Sequence, residues 1–313
     1  MKTVRDLGEF NLVHRLQRAL GKTDPSVVVG IGDDCAVLRS ADAKKFLLIT
    51  SDPVVEGVHF TLDTPPRQFG WKAMARNLSD IAAMGGLPRW AVVSIGLRPN
   101  TSVRAVEQIY AGLRAAAQKF RCEIVGGDTT HVKHEQFVVV TVVGEVERSR
   151  IALRSGAKIG DSVFVTGTLG GSLRGKHLTF TPRIDEARWL VRHFPIQAMI
   201  DVSDGLSSDL QRLVEAAGQR IGFEIYAAEI PFSRVAASSL TAALNDGEDF
   251  ELLFTLDPRY VTALRRRWPR KFRLPLTEIG RVVRSRQPVT LVDAKGKKQS
   301  LMPAGYDHFA QRR

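Results

Sequence analysis

The stretch Gly30-Ile31-Gly32-Asp33-Asp34-Cys35-Ala36 sets two glycines before two adjacent carboxylates and leads into an apolar run. Ionised carboxylates offer hard oxygen ligands to a divalent cation, and glycines let the backbone approach phosphate. Taken alone, such a turn is more often a solvated loop. It gains meaning because aspartates recur in similar settings. Asp52 follows the apolar Phe46–Thr50, Asp128 follows Gly126-Gly127, Asp201 and Asp204 lie in Met199-Ile-Asp-Val-Ser-Asp-Gly205, and Asp80 falls in a helical pattern. In a chain with a basic excess, seven acids beside apolar segments require cations or hydrogen-bond donors. Magnesium is the economical answer, because it shares its shell between carboxylates, waters and substrate phosphates. Several carboxylates around several magnesium ions imply a polyphosphate, most simply ATP. Calcium is the second candidate ion, although no segment has EF-hand spacing.

Other chemistries find less support. Gly170-Gly171-Ser172-Leu173-Arg174-Gly175-Lys176-His177 nearly reproduces a phosphate-binding P-loop, but His177 stands where a hydroxyl should reach magnesium. A Gly-rich turn lining a nucleotide or substrate pocket is the better reading. Gly205-Leu-Ser-Ser is no nucleophile elbow, and the histidines lack zinc-protease spacing. His59, close after Asp52, is a candidate substrate contact.

The elements that must position these residues follow from periodicity. Residues 3–20 place Leu7, Val13, Leu16 and Leu20 at helical spacing. Phe46–Thr50 reads as a buried strand, which puts Asp52 at its C-terminal end. Residues 68–84 form a helix with Met74, Leu78, Ile81 and Met84 in one stripe and Asn77 and Asp80 beside it. Strands follow at 90–97, 122–126 and 137–146, with a helix over 102–119. The pattern is interrupted near 147–160 and then restarts with strands at 162–166, 199–202, 252–256, 279–283 and 289–292, and helices at 184–193, 206–213 and 258–268. This alternation predicts two mixed α/β domains, residues 1–148 and 149–313.

Length and composition agree. At 313 residues, two domains are the default. The 44% hydrophobic and 25% charged fractions are those of an ordinary soluble protein, and no apolar run is long enough to span a bilayer. Two cysteines exclude a disulfide framework and a Cys-rich zinc site, and with no secretory or organellar signal they point to the cytoplasm. The net charge of +12 admits nucleic acid as a partner, but the basic residues are dispersed and their densest clusters carry no interleaved aromatics. A basic surface that attracts anionic substrates is the plainer explanation.

The motifs Gly30-Ile-Gly-Asp-Asp-Cys-Ala36, Thr50-Ser-Asp52 with Gly57-Val-His-Phe60, Asn77-Leu-Ser-Asp-Ile-Ala-Ala-Met-Gly85, Gly126-Gly-Asp-Thr-Thr130, Arg154-Ser-Gly-Ala-Lys158, Asp201-Val-Ser-Asp-Gly205, Gly247-Glu-Asp-Phe-Glu251 and Gly305-Tyr-Asp-His-Phe309 run in order over nearly the whole chain. Together they resemble the thiamine-monophosphate kinases, within the wider superfamily of aminoimidazole-ribotide synthetase-like ATP enzymes. The His59 segment and the Tyr306 tail are the motifs specific to the kinase. The resemblance implies magnesium-dependent transfer of the ATP γ-phosphoryl group to thiamine monophosphate. It further implies a homodimer whose N-terminal sheets pair into a barrel, with ATP in the cleft between domains.

By motif position, the implied metal ligands are Asp34, Thr50, Ser51, Asp52, Asp80, Asp128, Asp201 and Asp204, with Asp33 as a ligand or a support behind them. The implied ATP contacts are Gly127, Asp128, Arg154 and Ser203, and the implied substrate contacts are His59, Glu248 and Tyr306. A monovalent cation is a further candidate cofactor. Nucleic acid and membrane are not implied partners. Two departures stand out: Asn245-Asp246 replaces a small residue plus glycine, and Phe250 replaces the usual tyrosine. The competing readings are another ATP-dependent synthase or ligase of the superfamily, and a basic nucleic-acid-binding relative without catalysis.

Overall fold

The structure is a computed structural model and describes residues 2–21, 23–218, 221–237 and 239–309. Two sheets organise it. The first has six strands, β1 Val27–Val29, β2 Ala36–Arg39, β3 Lys45–Val55, β4 Leu87–Leu97, β5 Glu123–His131 and β6 Phe137–Glu147, in the order β1-β2-β3-β6-β4-β5. The second has seven, β7 Ser162–Thr166, β8 Ile196–Asp201, β9 Ile221–Tyr226, β10 Leu252–Leu256, β11 Leu276–Arg284, β12 Val289–Val292 and β13 Lys298–Ser300, in the order β13-β12-β9-β11-β7-β10-β8. The helices are α1 Val4–Leu7, α2 Glu9–Leu20, α3 Pro66–Ala83, α4 Val103–Lys119, α5 Ile184–His193, α6 Leu206–Ala217, α7 Leu240–Asn245 and α8 Val261–Lys271.

Alternation along the first sheet's strands sends one face into the core. Val138, Val140 and Val142 of β6 and Ala91, Val93 and Ile95 of β4 are buried beneath α3 and α4. On the opposite face Trp90 and Val92 stay 44% and 41% exposed, and every residue of β5 but Ile124 is exposed. The sheet is open, with β1 and β5 at its edges. The barrel implied by the resemblance is therefore not closed within one chain. In the second sheet β7 and β10 are buried at every residue, because α5 and α8 cover one face and α6 the other.

Helix α3 joins the two halves. Pro66 opens it at a position where a missing N–H costs nothing, and Gly85 ends it in a left-handed conformation. Twelve of its eighteen residues are buried, since it lies on β3 and β6 and also meets α5 and β8. It crosses α4 through a pair of glycines. A Cβ on Gly70 would lie 1.9 Å from the Ile109 carbonyl oxygen, and one on Gly112 would lie 1.9 Å from the Arg67 carbonyl oxygen. Only two bare backbones come that close.

Five elements differ from the sequence reading. The first helix breaks at Gly8 (φ 70°) into α1 and α2, and Leu16 and Leu20 of its apolar stripe remain exposed. Strand β3 continues through Asp52 to Val55, held along its length by β6, so Asp52 sits inside a strand and not at its end. Strands β1, β2 and β9 lie in short apolar runs whose length alone did not separate strand from loop.

The glycine crossing gives a direct test. Gly70→Ala gains up to about 1 kcal/mol of helix propensity, but the clash with backbone at Ile109 costs about 1–3 kcal/mol or more. A net loss of stability is expected in urea unfolding, and an unchanged or raised midpoint would contradict the packing.

Candidate active site

Three acids come together from three parts of the fold. Asp34 stands before β2, Asp80 lies in the last turn of α3 and Asp201 ends β8, and their carboxylate oxygens lie within 4.8 Å of one another. Arg154, in the turn after β6, grips Asp34 with both sides of its guanidinium, at 3.2 Å from Nε and 2.7 Å from Nη2. Its backbone N–H donates to Asp33 at 3.1 Å. Thr50 donates its hydroxyl to Asp80 at 2.5 Å, and Ser79 donates to Asp201 at 2.5 Å. Asn77 is fully buried; its Oδ1 accepts the Asp52 N–H at 3.0 Å and pins the middle of β3 to α3.

Desolvation dominates the electrostatics. Burial, then the charge of Asp34, pushes Asp33 up to about 7. Burial and Asp34 likewise push Asp201 up to about 7, and burial with Glu9 raises Asp204 to about 6. Asp80 and Asp209 are driven well above the carboxylate range by burial and by like charges around them. A dense, desolvated, all-oxygen donor set of this kind suits a hard divalent cation, which would reverse the repulsion.

Beside the acids opens a cavity of about 410 Å³, lined among others by His59, Arg76, His177, Ser203, Asp204, Glu248, Phe250, Tyr306 and His308. Val55 donates its N–H to His59 Nδ1 at 3.1 Å, which leaves the ring proton on Nε2. Burial, then Arg76, holds His59 down at about 3, so the ring is neutral. Glu248 is charged. Burial opposes this, but His177, Lys72 and Arg76 overcome it and hold the carboxyl at about 2. Lys72, buried in α3, donates to Glu248 at 2.5 Å and to the His59 carbonyl at 2.8 Å.

Tyr306 arrives on the C-terminal tail. The tail is stitched to α6 by Ser207 and Ser208, and the Tyr306 N–H donates to the Asp204 carbonyl at 2.8 Å. Gly305 makes this possible, since a Cβ there would meet the Asp204 oxygen at 2.1 Å.

The loop carrying Glu248 is strained. Glu248 and Phe250 adopt φ values of 53° and 50° on either side of Asp249. Segment 168–183 holds it in place. Gly170 and Gly171 donate their N–H groups to Asp249 and Asp246, each at 2.8 Å, so carboxylates occupy the cradle a P-loop would offer to phosphate. Lys176 and Arg183 neutralise the buried Glu251, and His177 reaches Glu248 at 3.0 Å. Asp246, one of the two departures, thus caps this turn. Phe250, the other, stacks on Phe180 at 3.9 Å between centroids.

Of the residues singled out from sequence, Asp33, Asp34, Thr50, Asp80, Asp201 and Arg154 converge at the acidic cluster, and the charge of Asp52 lies close enough to raise both Asp80 and Asp201. His59, Ser203, Asp204, Glu248 and Tyr306 line the adjoining cavity. Three are not brought there. Ser51 alternates to the other face of β3 and bonds Thr141 at 2.8 Å. Gly127 and Asp128 lie on exposed edge strand β5, three strands from β3. Sequence reasoning missed Lys72, Arg76, Ser79, His177 and Asp209. Lys72, Arg76 and Asp80 are spaced by four on an otherwise apolar helix, and that spacing was the available signal.

Family models describe both halves: AIR synthase related protein, N-terminal domain, over residues 32–146, and AIR synthase related protein, C-terminal domain, over 161–293. The thiamine-monophosphate kinase of Aquifex aeolicus is 36% identical over 335 aligned positions, covering 98% of this chain and 99% of the relative. That of Rhodopirellula baltica is 36% identical over 299, covering 91% and 92%. The solved structure of AaThiL complexed with AMPPCP and TMP matches with a TM-score of 0.83 at 34% identity, covering 98% of this chain and 99% of that one. The HypE–HypF complex structure, at 18% identity and a TM-score of 0.72, shares the fold over 93% of this chain and 99% of that one.

The crowded carboxylates make stability depend on pH. Asp201 stands near 7 in the folded chain against an ordinary value of 3.8. Its protonation therefore stabilises the fold fully below about pH 4, and this contribution is lost as pH rises through 7. Without metal, Asp201→Asn should gain on wild type by about 1–3 kcal/mol between pH 5 and 8 in urea unfolding. Adding a divalent cation should stabilise wild type more than the variant. A pH-independent difference would show that the carboxylate is not desolvated as described.

Proposed function

The chain belongs to the thiamine-monophosphate kinase family, and from that premise we propose that it transfers the γ-phosphoryl group of ATP to the phosphate of thiamine monophosphate, giving thiamine diphosphate and ADP. The observation that carries this reading is the juxtaposition of a buried all-oxygen cluster with a cavity bearing Glu248, His59 and Tyr306. We propose that Asp34, Asp52, Asp80, Asp201 and Asp204 hold magnesium, which when bound would neutralise the phosphates of both substrates. Asp33 and Thr50 orient these carboxylates, through the Arg154 backbone and through Asp80 respectively. The acceptor oxygen is already anionic, so the chain needs no strong base. Its work is alignment and charge neutralisation in a loose transition state. Arg154 supplies a planar cationic fork at the nucleotide side. Neutral His59 and the Tyr306 ring wall the acceptor cavity, and charged Glu248 suits the cationic thiazolium of thiamine.

We further propose a homodimer formed through the first sheet. Trp90, Val92 and Val125 present an exposed apolar strip on the face away from α3 and α4, and pairing two such faces would bury it and complete a barrel. That assembly accounts for Gly127 and Asp128, which their own chain leaves at the edge: each would serve the cleft of the other protomer. Residues 1–148 then form the dimerising, metal-binding half and 149–313 the half that carries Glu248 and Tyr306. The two cysteines are buried free thiols, which suits a reducing cytoplasm. No helix among the described residues is long and apolar enough to cross a membrane.

Protein incubated with ATP, magnesium and thiamine monophosphate should yield thiamine diphosphate and ADP in equal amounts; no thiamine diphosphate would overturn the reading. Asp52→Asn should lower kcat by about 10²–10³-fold, with the unfolding midpoint moving less than about 4 °C. Activity close to wild type would remove Asp52 from the metal set. Asp52→Asn and Asp128→Asn, each inactive alone, should recover activity when co-expressed, because the mixed dimer rebuilds one intact site. Failure to complement would place Asp128 outside the partner's cleft.

A further inference from the structure

Arg76 stands where the two parts of the site meet. It lies in α3 one turn before Asp80 and one turn after Lys72, and its side chain lines the acceptor cavity. Its guanidinium is shared between two acids with different tasks. Nε faces Asp52 Oδ2 at 3.4 Å, and Nη1 faces Glu248 Oε1 at 3.3 Å. Its flat face lies over the Phe250 ring, with Cζ 6.0 Å from the centroid.

Both hydrogen bonds are long, since a charge-assisted N–H···O bond closes to about 2.7–2.9 Å. Lys72 is the contrast. It is fully buried and committed at 2.5–2.9 Å to Glu248, His177 and the His59 carbonyl. Glu248 therefore keeps a close counter-ion without Arg76, and Asp52 belongs to the proposed metal set, where an ion would replace the guanidinium. Arg154, the other arginine of the site, is engaged with Asp34 on both oxygens. Among the described residues lining the cavity, Arg76 is the one Lys or Arg, and His59 is neutral. A dianionic phosphate monoester entering this cavity beside Glu248 meets a permanent cation only there.

We propose that Arg76 is the ligand of the acceptor's phosphate: when the substrate binds, the guanidinium turns from Asp52 and Glu248 to two phosphate oxygens and holds them at the boundary with the carboxylate cluster. The planar fork matches phosphate geometry in a way an ammonium does not. Phe250 supports the fork from one side during the turn. The proposal rests on the kinase reading above and adds a residue that discriminates the phosphorylated acceptor from its dephosphorylated form.

The test is equilibrium binding with magnesium present and no nucleotide, comparing thiamine monophosphate with thiamine. Wild type should prefer the monophosphate. Arg76→Gln should reduce that preference by about ten- to a hundredfold while binding thiamine as wild type does. Arg76→Lys should recover part of it, since it keeps the charge and loses the fork, and it carries the comparison alone if the Gln variant does not fold. Three results would overturn the proposal: no preference in wild type, an unchanged preference in both variants, or equal loss of both ligands, which marks Arg76 as a brace between α3 and the 247–251 loop. Turnover of ATP with thiamine monophosphate by wild type is measured separately, so failure of the kinase reading is distinguishable from failure of the Arg76 assignment.

Discussion

Mutual repulsion among buried carboxylates is the constraint on which this structure depends. Asp34, Asp80 and Asp201 place oxygens within 4.8 Å of one another, the first two half-buried and the third buried. Among the described residues, Arg154 on Asp34 is the close cationic partner of that group, with neutral hydroxyls from Thr50 and Ser79 serving the other two. Such an arrangement is costly in an empty protein, which answers by holding protons on several of the acids. The same density of oxygens is what the proposed divalent ion would need.

Helix α3 turns that cluster into a site with two ends. Lys72 and Asp80 are eight residues apart, about 12 Å along the axis. Over that length the helix supplies the counter-ion of Glu248, the bridging Arg76, the Asn77 clamp on β3, the Ser79 donor to Asp201 and a carboxylate of the cluster. Burial on several sides fixes its position, and the Gly70–Gly112 crossing with α4 fixes its depth. Cavity and carboxylate cluster are thus measured off on one rigid element, which suits a reaction that depends on alignment.

The second half contributes by strain and by buried charge. Positive φ at Glu248 and Phe250 aims Glu248 at the cavity, and this backbone is held by contacts from segment 168–183. That segment looks like a phosphate loop and serves a different end. Its N–H groups bind Asp246 and Asp249, its Lys176 and Arg183 bind Glu251, and its His177 binds Glu248. The Asn245-Asp246 departure finds a physical role here, because the Asp246 side chain satisfies a backbone donor that a glycine would leave open.

The sequence by itself singled out the acids that the fold gathers around one cleft. Asp33, Asp34, Asp80, Asp201 and Asp204 sit beside apolar or Gly-rich runs, and such patterns are local, as are the helix and strand periods that separate the two halves. The ordered motifs carried the family as well. Tertiary structure decided what local pattern cannot encode. Strand β3 runs past Asp52 because β6 pairs with it, and Ser51 faces away because a strand alternates. His177 and Glu248, 71 residues apart, share a proton-bonding contact because the strained loop folds onto the Gly-rich turn. Lys72 and Arg76 become site residues only because α3 is buried against β3, β6 and β8. Asp128 stays on the exposed edge strand β5, away from the other acids. In each case the reason is the same: burial and charge pairing are properties of surfaces brought together in space, and sequence distance carries no measure of them.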